Sequence, residues 1–167
     1  PVIKYGNDEQ RARIIPAIIR GKAKTCFAIT EPNVGLNTTQ ITTRAVREGD
    51  HYVVTGAKTW ISTAQEADYM LLLARTTPAD QVSKPADGLS LFLTPLDRKY
   101  VEVREIDRMG RCAVDANQMF FDGLPVPVTD RLGEEGKGMR YVFDSMNPER
   151  MVVAAEAVGI GRAALRK

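Results

Sequence analysis

The sequence is poor in the residues that mark several classes of protein. Its 2 cysteines, Cys26 and Cys112, lack metal-site spacing and are too few for a disulfide framework, so we expect both to be reduced and packed. The single histidine, His51, alternates with strand residues beside a turn, which favours a surface position over a catalytic one. We therefore predict no metal site. No apolar run approaches the roughly 18 to 20 residues of a membrane span, so none is expected.

The chain also lacks a large excess of charge of either sign. The 23 Lys and Arg and the 21 Asp and Glu residues leave a formal net charge of +2, and they are spread along the chain. A nucleic-acid partner is therefore not expected. The 167 residues, 44% apolar and 26% charged, suffice for one globular domain with a sizeable core. With no membrane-span-length apolar run and no charged-then-apolar signal peptide at its start, the chain is expected in the bacterial cytoplasm or the mitochondrial matrix.

The first part of the chain, residues 1–22, has a helical pattern. Asn7 can cap a helix whose third position is Gln10, and Gly21 supplies a stop. The pattern predicts a helix that is interrupted or restarts at Pro16. The apolar residues at helical spacing are Ile14, Ile15, Ile18 and Ile19.

From residue 24 to about 130 the pattern changes to short runs with a period of two. The runs lie at 51–54, 69–73, 89–93 and 118–121. A turn at 48–50 and segments rich in Pro and Gly at 78–88 and 122–127 are typical of connections. This part is therefore predicted to be mainly β, an antiparallel barrel or sandwich with helices at both ends.

The last part of the chain returns to a helical pattern. After a glycine-rich stretch at 133–138, one apolar helical face is marked by Met139, Val142, Phe143 and Met146. A second helix is predicted to begin at Asn147-Pro148 and to continue to residue 167. Because residue 1 is proline and the chain stops within this pattern, we expect the sequence to be part of a longer protein.

The loop after the strand-like run at 27–29 has an unusual backbone. Pro32 pushes Glu31 out of the helical region, and Gly35 permits a close approach to the backbone. Such a loop can offer amide groups to a phosphate, although an ordinary surface loop explains the same residues. The chain has neither the Gly-x-Gly-x-x-Gly of a dinucleotide fold nor a P-loop, so a dinucleotide would be held in another way.

Two segments resemble the flavin-contacting segments of the acyl-CoA dehydrogenase family. They are Phe-Ala-Ile-Thr-Glu-Pro-Asn-Val-Gly-Leu-Asn at 27–37 and Trp-Ile-Ser at 60–62. The resemblance covers essentially the whole chain. It implies the last helix of an N-terminal helical domain at 1–22, a middle β-barrel domain at 23–131, and a linker with the first helix of a truncated C-terminal helical domain at 132–167.

The same resemblance implies FAD as the cofactor. Thr30 would bond the polar edge of the ring, the Trp60 indole would pack on the isoalloxazine, and the Ser62 hydroxyl would lie near N5. From its chemistry alone, Trp60 could equally be a core anchor. The implied FAD-binding residues are Phe27, Ile29, Thr30, Gly35, Leu36, Asn37, Thr38, Trp60, Ile61 and Ser62.

One departure from the family concerns the pyrophosphate. The family commonly has Ser-Asp after the glycine, whereas this chain has Leu36-Asn37. The contact that the family serine hydroxyl makes with the pyrophosphate would then come from Asn37 or Thr38. Otherwise only the backbone of Leu36 would make that contact.

The family reaction is the α,β-desaturation of an acyl-CoA thioester. A glutamate takes the α-proton while the β-hydrogen leaves as hydride to flavin N5. In a minority of members the base stands immediately before an arginine on the first helix of the C-terminal domain, and Glu149-Arg150 matches this arrangement. As an alternative, a helix starting at Asn147 would favour a carboxylate at Glu149 through its dipole alone.

The resemblance also implies ligands and partners. Leu36, Asn147 and Arg150 are the expected substrate contacts, with acyl-CoA as substrate, an electron-transfer flavoprotein as electron acceptor, and a homo-oligomer, dimer or tetramer, as assembly. An acyl-CoA oxidase or flavin monooxygenase of the same fold, or a noncatalytic β module, are the alternatives. The chain by itself is expected to show little activity.

Overall fold

A computed structural model describes residues 1–34, 36–110 and 113–166 of the chain. Gly35 and Cys112, for which a flavin contact and core packing were predicted, therefore lie outside the described residues, as do Arg111 and Lys167. The described helices are α1 (Val2–Tyr5), α2 (Asp8–Ile19) and α3 (Gly138–Leu165). The strands are β1 (Thr25–Ala28), β2 (Arg44–Glu48), β3 (His51–Ser62), β4 (Tyr69–Arg75), β5 (Leu89–Pro95), β6 (Val101–Glu105), β7 (Ala116–Pro127) and β8 (Arg131–Leu132).

The strands form one 8-stranded sheet, so the predicted mainly-β fold with helices at both ends is confirmed. Its order is β6-β7-β3-β2-β4-β5-β8, with β1 paired to β4. Most ladders are antiparallel, but β4 pairs in parallel with β1 and, through Arg44 and Arg75, with β2, so the sheet is mixed rather than wholly antiparallel. The pairing of β1 with β4 is parallel because the β2–β3 hairpin separates the two strands and returns the chain in the same direction. Across the described residues, no ladder joins β6 to β8 to close a barrel.

The segment 122–127 was predicted to be a connection, and this prediction is wrong. These residues continue β7 and pair with β3, from Val54 opposite Leu124 to His51 opposite Pro127. The pairing of β6 ends at Phe121, so this end of β7 is an edge. Edge strands tolerate proline because a missing N–H group on the open side breaks no ladder.

The N-terminal helices follow the predicted cap but not the predicted break. The Asn7 side chain accepts a hydrogen bond from the Gln10 N–H at 2.7 Å, and the Gln10 side chain accepts one from the Asn7 N–H at 2.9 Å. This capping box starts α2 at Asp8, so the interruption falls before it and α2 runs through Pro16. Gly21 has a φ of 63°, which only glycine adopts readily, and lies just beyond the helix.

Two buried clusters lie on the two faces of β4 and β5. In β4, Met70 and Leu72 point into one cluster, while Leu71 and Leu73 point into the other. The second cluster also contains Ile14 and side chains of α3, so both helical segments pack on the same face of the sheet. A strand that is buried on both faces shows a continuous apolar run, as the residues 70–73 do.

The C-terminal segment is one helix rather than two. α3 runs without interruption from Gly138 to Leu165, and Pro148 lies inside it. The predicted helix start at Asn147 is therefore wrong. The alanines after Pro148 have the highest helix propensity, and the first turns of α3 are fixed by packing, so the helix persists through a residue that costs about 3 kcal/mol in a helix interior. The alanines concerned are Ala154, Ala155, Ala157, Ala163 and Ala164.

Gly138 provides a test of how α3 is attached to the sheet. A Cβ at this position would lie 2.5 Å from the Leu91 nitrogen and 2.6 Å from the Ser90 carbonyl carbon, both on β5. We expect Gly138→Ala to lower the free energy of unfolding by about 1–3 kcal/mol, measured by urea denaturation. Gly159→Ala is the matched control: a Cβ there meets nothing within 4 Å, so it should raise stability by up to about 1 kcal/mol. Equal effects of the two substitutions would contradict close docking of α3.

Candidate functional site

A buried ion pair joins the loop after β1 to strand β3. The Lys58 ammonium donates to the Glu31 carboxylate at 2.9 Å, to the Ile29 carbonyl at 3.0 Å and to the Leu73 carbonyl at 2.7 Å. The Lys58 side chain is fully buried and that of Glu31 is 3% exposed. Next to the pair, the Thr59 N–H donates to the Thr30 carbonyl at 2.9 Å. The two sequence segments that resemble flavin contacts are thereby held side by side.

The pair has polar partners that offset the burial of its charges. The Glu31 carboxylate also accepts hydrogen bonds from the N–H groups of Thr42 at 2.7 Å and Thr43 at 2.9 Å. Burial lowers the pKa of Lys58 to about 8, against the opposing effect of Glu31. Burial raises the pKa of Glu31, but the charge of Lys58 and the threonine hydrogen bonds together bring it below its ordinary value.

Beyond Lys58, strand β3 contains a bulge. The register with β7 shifts between Lys58 and Ile61. Trp60 has a φ of 60° and Thr63 a φ of 61°, a region that costs non-glycine residues about 1–3 kcal/mol. Trp60 is 60% exposed as a result. The interpretation of Trp60 as a core anchor is therefore wrong for the described chain.

The bulge, the loop after β1 and helix α3 enclose a cleft of about 720 Å³. A volume of this order is typical of small-molecule and cofactor sites. Several of its apolar side chains are exposed, among them Phe27, Leu36, Trp60 and Phe143. The described residues predicted to bind FAD that line the cleft are Phe27, Ile29, Thr30, Leu36, Thr38, Trp60, Ile61 and Ser62. Ile61 is only 2% exposed and belongs to the buried core beneath the cleft.

Three hydroxyl groups in the cleft are free to bind a ligand. Within the described part of the chain, the side chains of Thr30, Thr38 and Ser62 have no hydrogen-bond partner. A flat apolar surface beside free hydroxyls suits a flat aromatic ring with polar edges.

The predicted substrate and catalytic residues are only partly brought together. Glu149 and Arg150 line the same cleft from α3. Asn37 and Asn147 are not among the described lining residues, and the Asn37 side chain instead accepts from the Thr39 hydroxyl at 2.5 Å. Because α3 is continuous, Glu149 lies in the interior of the helix. The explanation of Glu149 by a helix start is thus wrong.

Sequence reasoning missed the roles of Glu31 and Lys58. Glu31 lies within the first motif and Lys58 lies two residues before the second, but nothing in their spacing indicated that they meet. The available signal was a lysine between strand residues that belong to the core, a place where an unpaired charge is costly.

The described residues contain neither a candidate membrane span nor a metal-binding cluster. None of the described helices is long and apolar enough to cross a membrane. Residues 1–34, 36–110 and 113–166 contain no group of 3 or more His, Cys, Asp or Glu side chains placed to hold a metal ion.

Comparison with known proteins places this geometry in a family. Residues 26–124 match the model of the acyl-CoA dehydrogenase middle domain. The chain belongs to the acyl-CoA dehydrogenase family. Members of this family are flavoprotein oxidoreductases of fatty acid metabolism.

Relatives of the family match nearly all of this chain. An acyl-CoA dehydrogenase of Alternaria alternata is 34% identical over 98% of the chain and 37% of the relative. The mitochondrial long-chain specific acyl-CoA dehydrogenase of Mus musculus is 32% identical over 94% of the chain and 36% of the relative. The crystal structure of acyl-CoA dehydrogenase from Geobacillus kaustophilus superposes with a TM-score of 0.86 at 36% identity, covering 92% of this chain and 40% of that one. The chain thus spans well under half the length of these relatives.

Because the pair is buried, removing one partner should cause a large loss of stability. Lys58→Met leaves the Glu31 charge buried without a counter-ion, and should lower the free energy of unfolding by about 3–5 kcal/mol in urea denaturation. The double variant Glu31→Gln/Lys58→Met removes both charges and should be more stable than Lys58→Met alone. The control Lys99→Met changes an exposed lysine and should stay within about 0.5 kcal/mol of the parent chain. If the loss of stability in the double variant equalled the sum of the losses in Glu31→Gln and Lys58→Met, the two residues would not be coupled.

The lowered pKa of Glu31 predicts an acid-sensitive contribution to stability. This contribution is fully present above the ordinary value of 4.5 and is lost as the pH falls through the lower pKa of the folded chain. As the pH falls below 4.5, the urea midpoint should fall more steeply for the parent chain than for Glu31→Gln, which does not titrate. Glu48→Gln, at an exposed position on β2, should keep the parent slope. Parallel slopes for all three proteins would rule out this contribution.

Proposed function

We propose that this chain provides the flavin site of an enzyme that desaturates acyl-CoA thioesters between the α and β carbons. The observation that carries the proposal is the cleft, which gathers Trp60, Ser62 and Glu149 from segments far apart in the sequence. An aromatic face, free hydroxyls and a carboxylate then surround one volume.

FAD is the proposed cofactor, and it would supply the acceptor for the hydride that leaves the substrate. The cleft residues fit its flavin ring: the exposed indole of Trp60 offers a face for stacking, and the hydroxyls of Thr30 and Ser62 offer polar contacts at the ring edge. Asn37 and Thr38 are the candidates to replace the family serine at the pyrophosphate, and Thr38 is the one proposed. Its hydroxyl is free and lines the cleft, whereas the Asn37 side chain bonds Thr39.

Glu149 is the proposed base. Its carboxylate would accept the α-proton as the C–H bond breaks, and the β-hydrogen would depart with the electron pair of its own bond. Arg150 follows it on α3 and is proposed, with Leu36, to contact the substrate; both line the cleft. Asn147 belongs to the same proposal but lies outside the cleft lining.

The remaining proposals concern the whole protein. By analogy with the family, 1–22 would end an N-terminal helical domain, 23–131 would be the middle domain, and 132–167 would lead into a C-terminal helical domain. An electron-transfer flavoprotein would reoxidise the enzyme, which would be a homo-oligomer in the bacterial cytoplasm or the mitochondrial matrix.

The proposed function is tested by flavin absorbance in the full-length protein. We expect bound FAD, bleached under anaerobic conditions by an acyl-CoA substrate. A protein that retains no flavin, or whose flavin is not bleached by a series of acyl-CoA thioesters, would refute the proposal. Rapid reoxidation by oxygen would instead indicate an oxidase or monooxygenase of the same fold.

The same assay examines Glu149. Glu149→Gln keeps the shape of the side chain but cannot take the α-proton, so the rate of bleaching should fall by about 10²- to 10⁴-fold with FAD and acyl-CoA binding nearly unchanged. The control Glu156→Gln alters a carboxylate two turns further along α3, outside the cleft lining, and should bleach at the parent rate. Retained bleaching in Glu149→Gln would place the base elsewhere.

A further inference from the structure

The Trp60 bulge is held by two polar side chains, Asn117 on the neighbouring strand β7 and Asp115 just before that strand. The Asp115 carboxylate accepts a hydrogen bond from the Thr63 N–H at 2.8 Å and another from the Gln65 N–H at 3.1 Å. The Asn117 amide on β7 donates to the Ile61 carbonyl at 2.8 Å and to Asp115 at 2.5 Å. These bonds attach to the backbone on both sides of Ser62 and immediately after Trp60.

The network is fully hydrogen-bonded, with a buried amide at its centre and partly exposed groups around it. Asn117 is completely buried, and its carbonyl oxygen accepts from the Gln65 side chain at 2.8 Å. Burial raises the pKa of Asp115, but hydrogen bonds from Asn117, Gln65 and Thr63 bring it below its ordinary value, so the carboxylate stays ionised as an acceptor. The satisfied, buried amide of Asn117 at its centre favours one local conformation of the bonded backbone.

The bulge needs such support because its backbone is strained. Trp60 and Thr63 both have a φ near +60°, a conformation that persists only where the surroundings determine it. In the described chain, the side chains of Trp60 and Ser62 make no hydrogen bond of their own that could orient them. Their direction therefore depends on the backbone that Asp115 and Asn117 hold.

We propose that Asp115 and Asn117 are positioning residues that keep Trp60 and Ser62 in the orientation that binds the flavin. This inference rests on the proposed function for the ligand, but the conformational part stands on the described contacts alone. We call Asp115 and Asn117 together the bulge clamp.

The variant Asp115→Asn tests the bulge clamp with almost no change of shape. The carboxylate accepts from three donors, the N–H groups of Thr63 and Gln65 and the Asn117 amide. An amide has only one acceptor oxygen, so in either orientation its NH₂ group faces a donor. Asp122→Asn is the matched control, because it makes the same change at an exposed position on β7. Gln65→Met is a milder variant that removes one bond to Asn117 at an exposed residue.

The readouts are FAD affinity and the conformation of Trp60 in the full-length protein. The chain is labelled with 5-fluorotryptophan, and the ¹⁹F resonance of Trp60 is assigned with Trp60→Phe. In the apoprotein under conditions where it is folded, Asp115→Asn should shift or broaden this resonance. It should also weaken FAD binding by about 10-fold or more, because a charged hydrogen-bond acceptor is lost. Gln65→Met should show smaller effects in the same direction, and Asp122→Asn should match the parent.

The outcomes separate the bulge clamp from the proposed function. An unchanged Trp60 resonance in both Asp115→Asn and Gln65→Met would overturn the clamp, as would equal losses of FAD affinity in Asp115→Asn and Asp122→Asn. If Asp115→Asn does not fold, Gln65→Met decides by the same two readouts. A parent protein that binds no FAD would refute the proposed function and the flavin role of the clamp, while the apoprotein resonance would still decide whether Asp115 and Asn117 orient Trp60.

Discussion

The arrangement of the cleft depends on the buried ion pair between Glu31 and Lys58. Removing both charges from water is costly, and the pair exists only because two carbonyl groups and two threonine N–H groups complete its hydrogen bonds. Those extra partners are Ile29 just after β1, Thr42 and Thr43 before β2, and Leu73 on β4. The pair therefore fixes the loop after β1 against β3 and the sheet beneath it. Because Trp60 follows Lys58 by two residues, the same contact determines where the bulge meets the loop.

The second constraint is the strained backbone at the bulge. A regular β3 would alternate its side chains between the core and the opposite face, and Trp60 would have to pack against neighbouring strands. The bulge turns the indole out and leaves Ile61 in the core. Two separate sets of polar contacts are thus needed. The Glu31–Lys58 pair holds β3 to the loop after β1, and the bulge clamp maintains the backbone conformation of the bulge. The flat apolar surface and the free hydroxyls of the cleft follow from both.

Local patterns in the sequence predicted local structure well. The capping box at Asn7, the hairpin turn at 48–50 and the strands with a period of two are confirmed, because each depends on residues close in sequence. Features that depend on distant partners were missed. Strand direction has no local signal, so the parallel pairing of β1 was not foreseen, and proline at an edge or in α3 is permitted only by what lies beside it. The resemblance singled out two segments that line the same cleft, but it gave no reason for the burial of Lys58.

The position of Glu149 in the interior of α3 bears on whether it can act as a general base. A glutamate in the first turn of a helix has an electrostatic explanation, but one in the interior has none of that kind. A general base needs to be shielded from water to take a proton from carbon, yet Glu149 is exposed in the described chain. The apolar side chains that follow it, Val152, Val153 and Ile160, are exposed as well. If Glu149 is the base, the groups that exclude water from its carboxylate must therefore come from a bound ligand or from outside the described residues. The basicity of Glu149 should then depend on those groups.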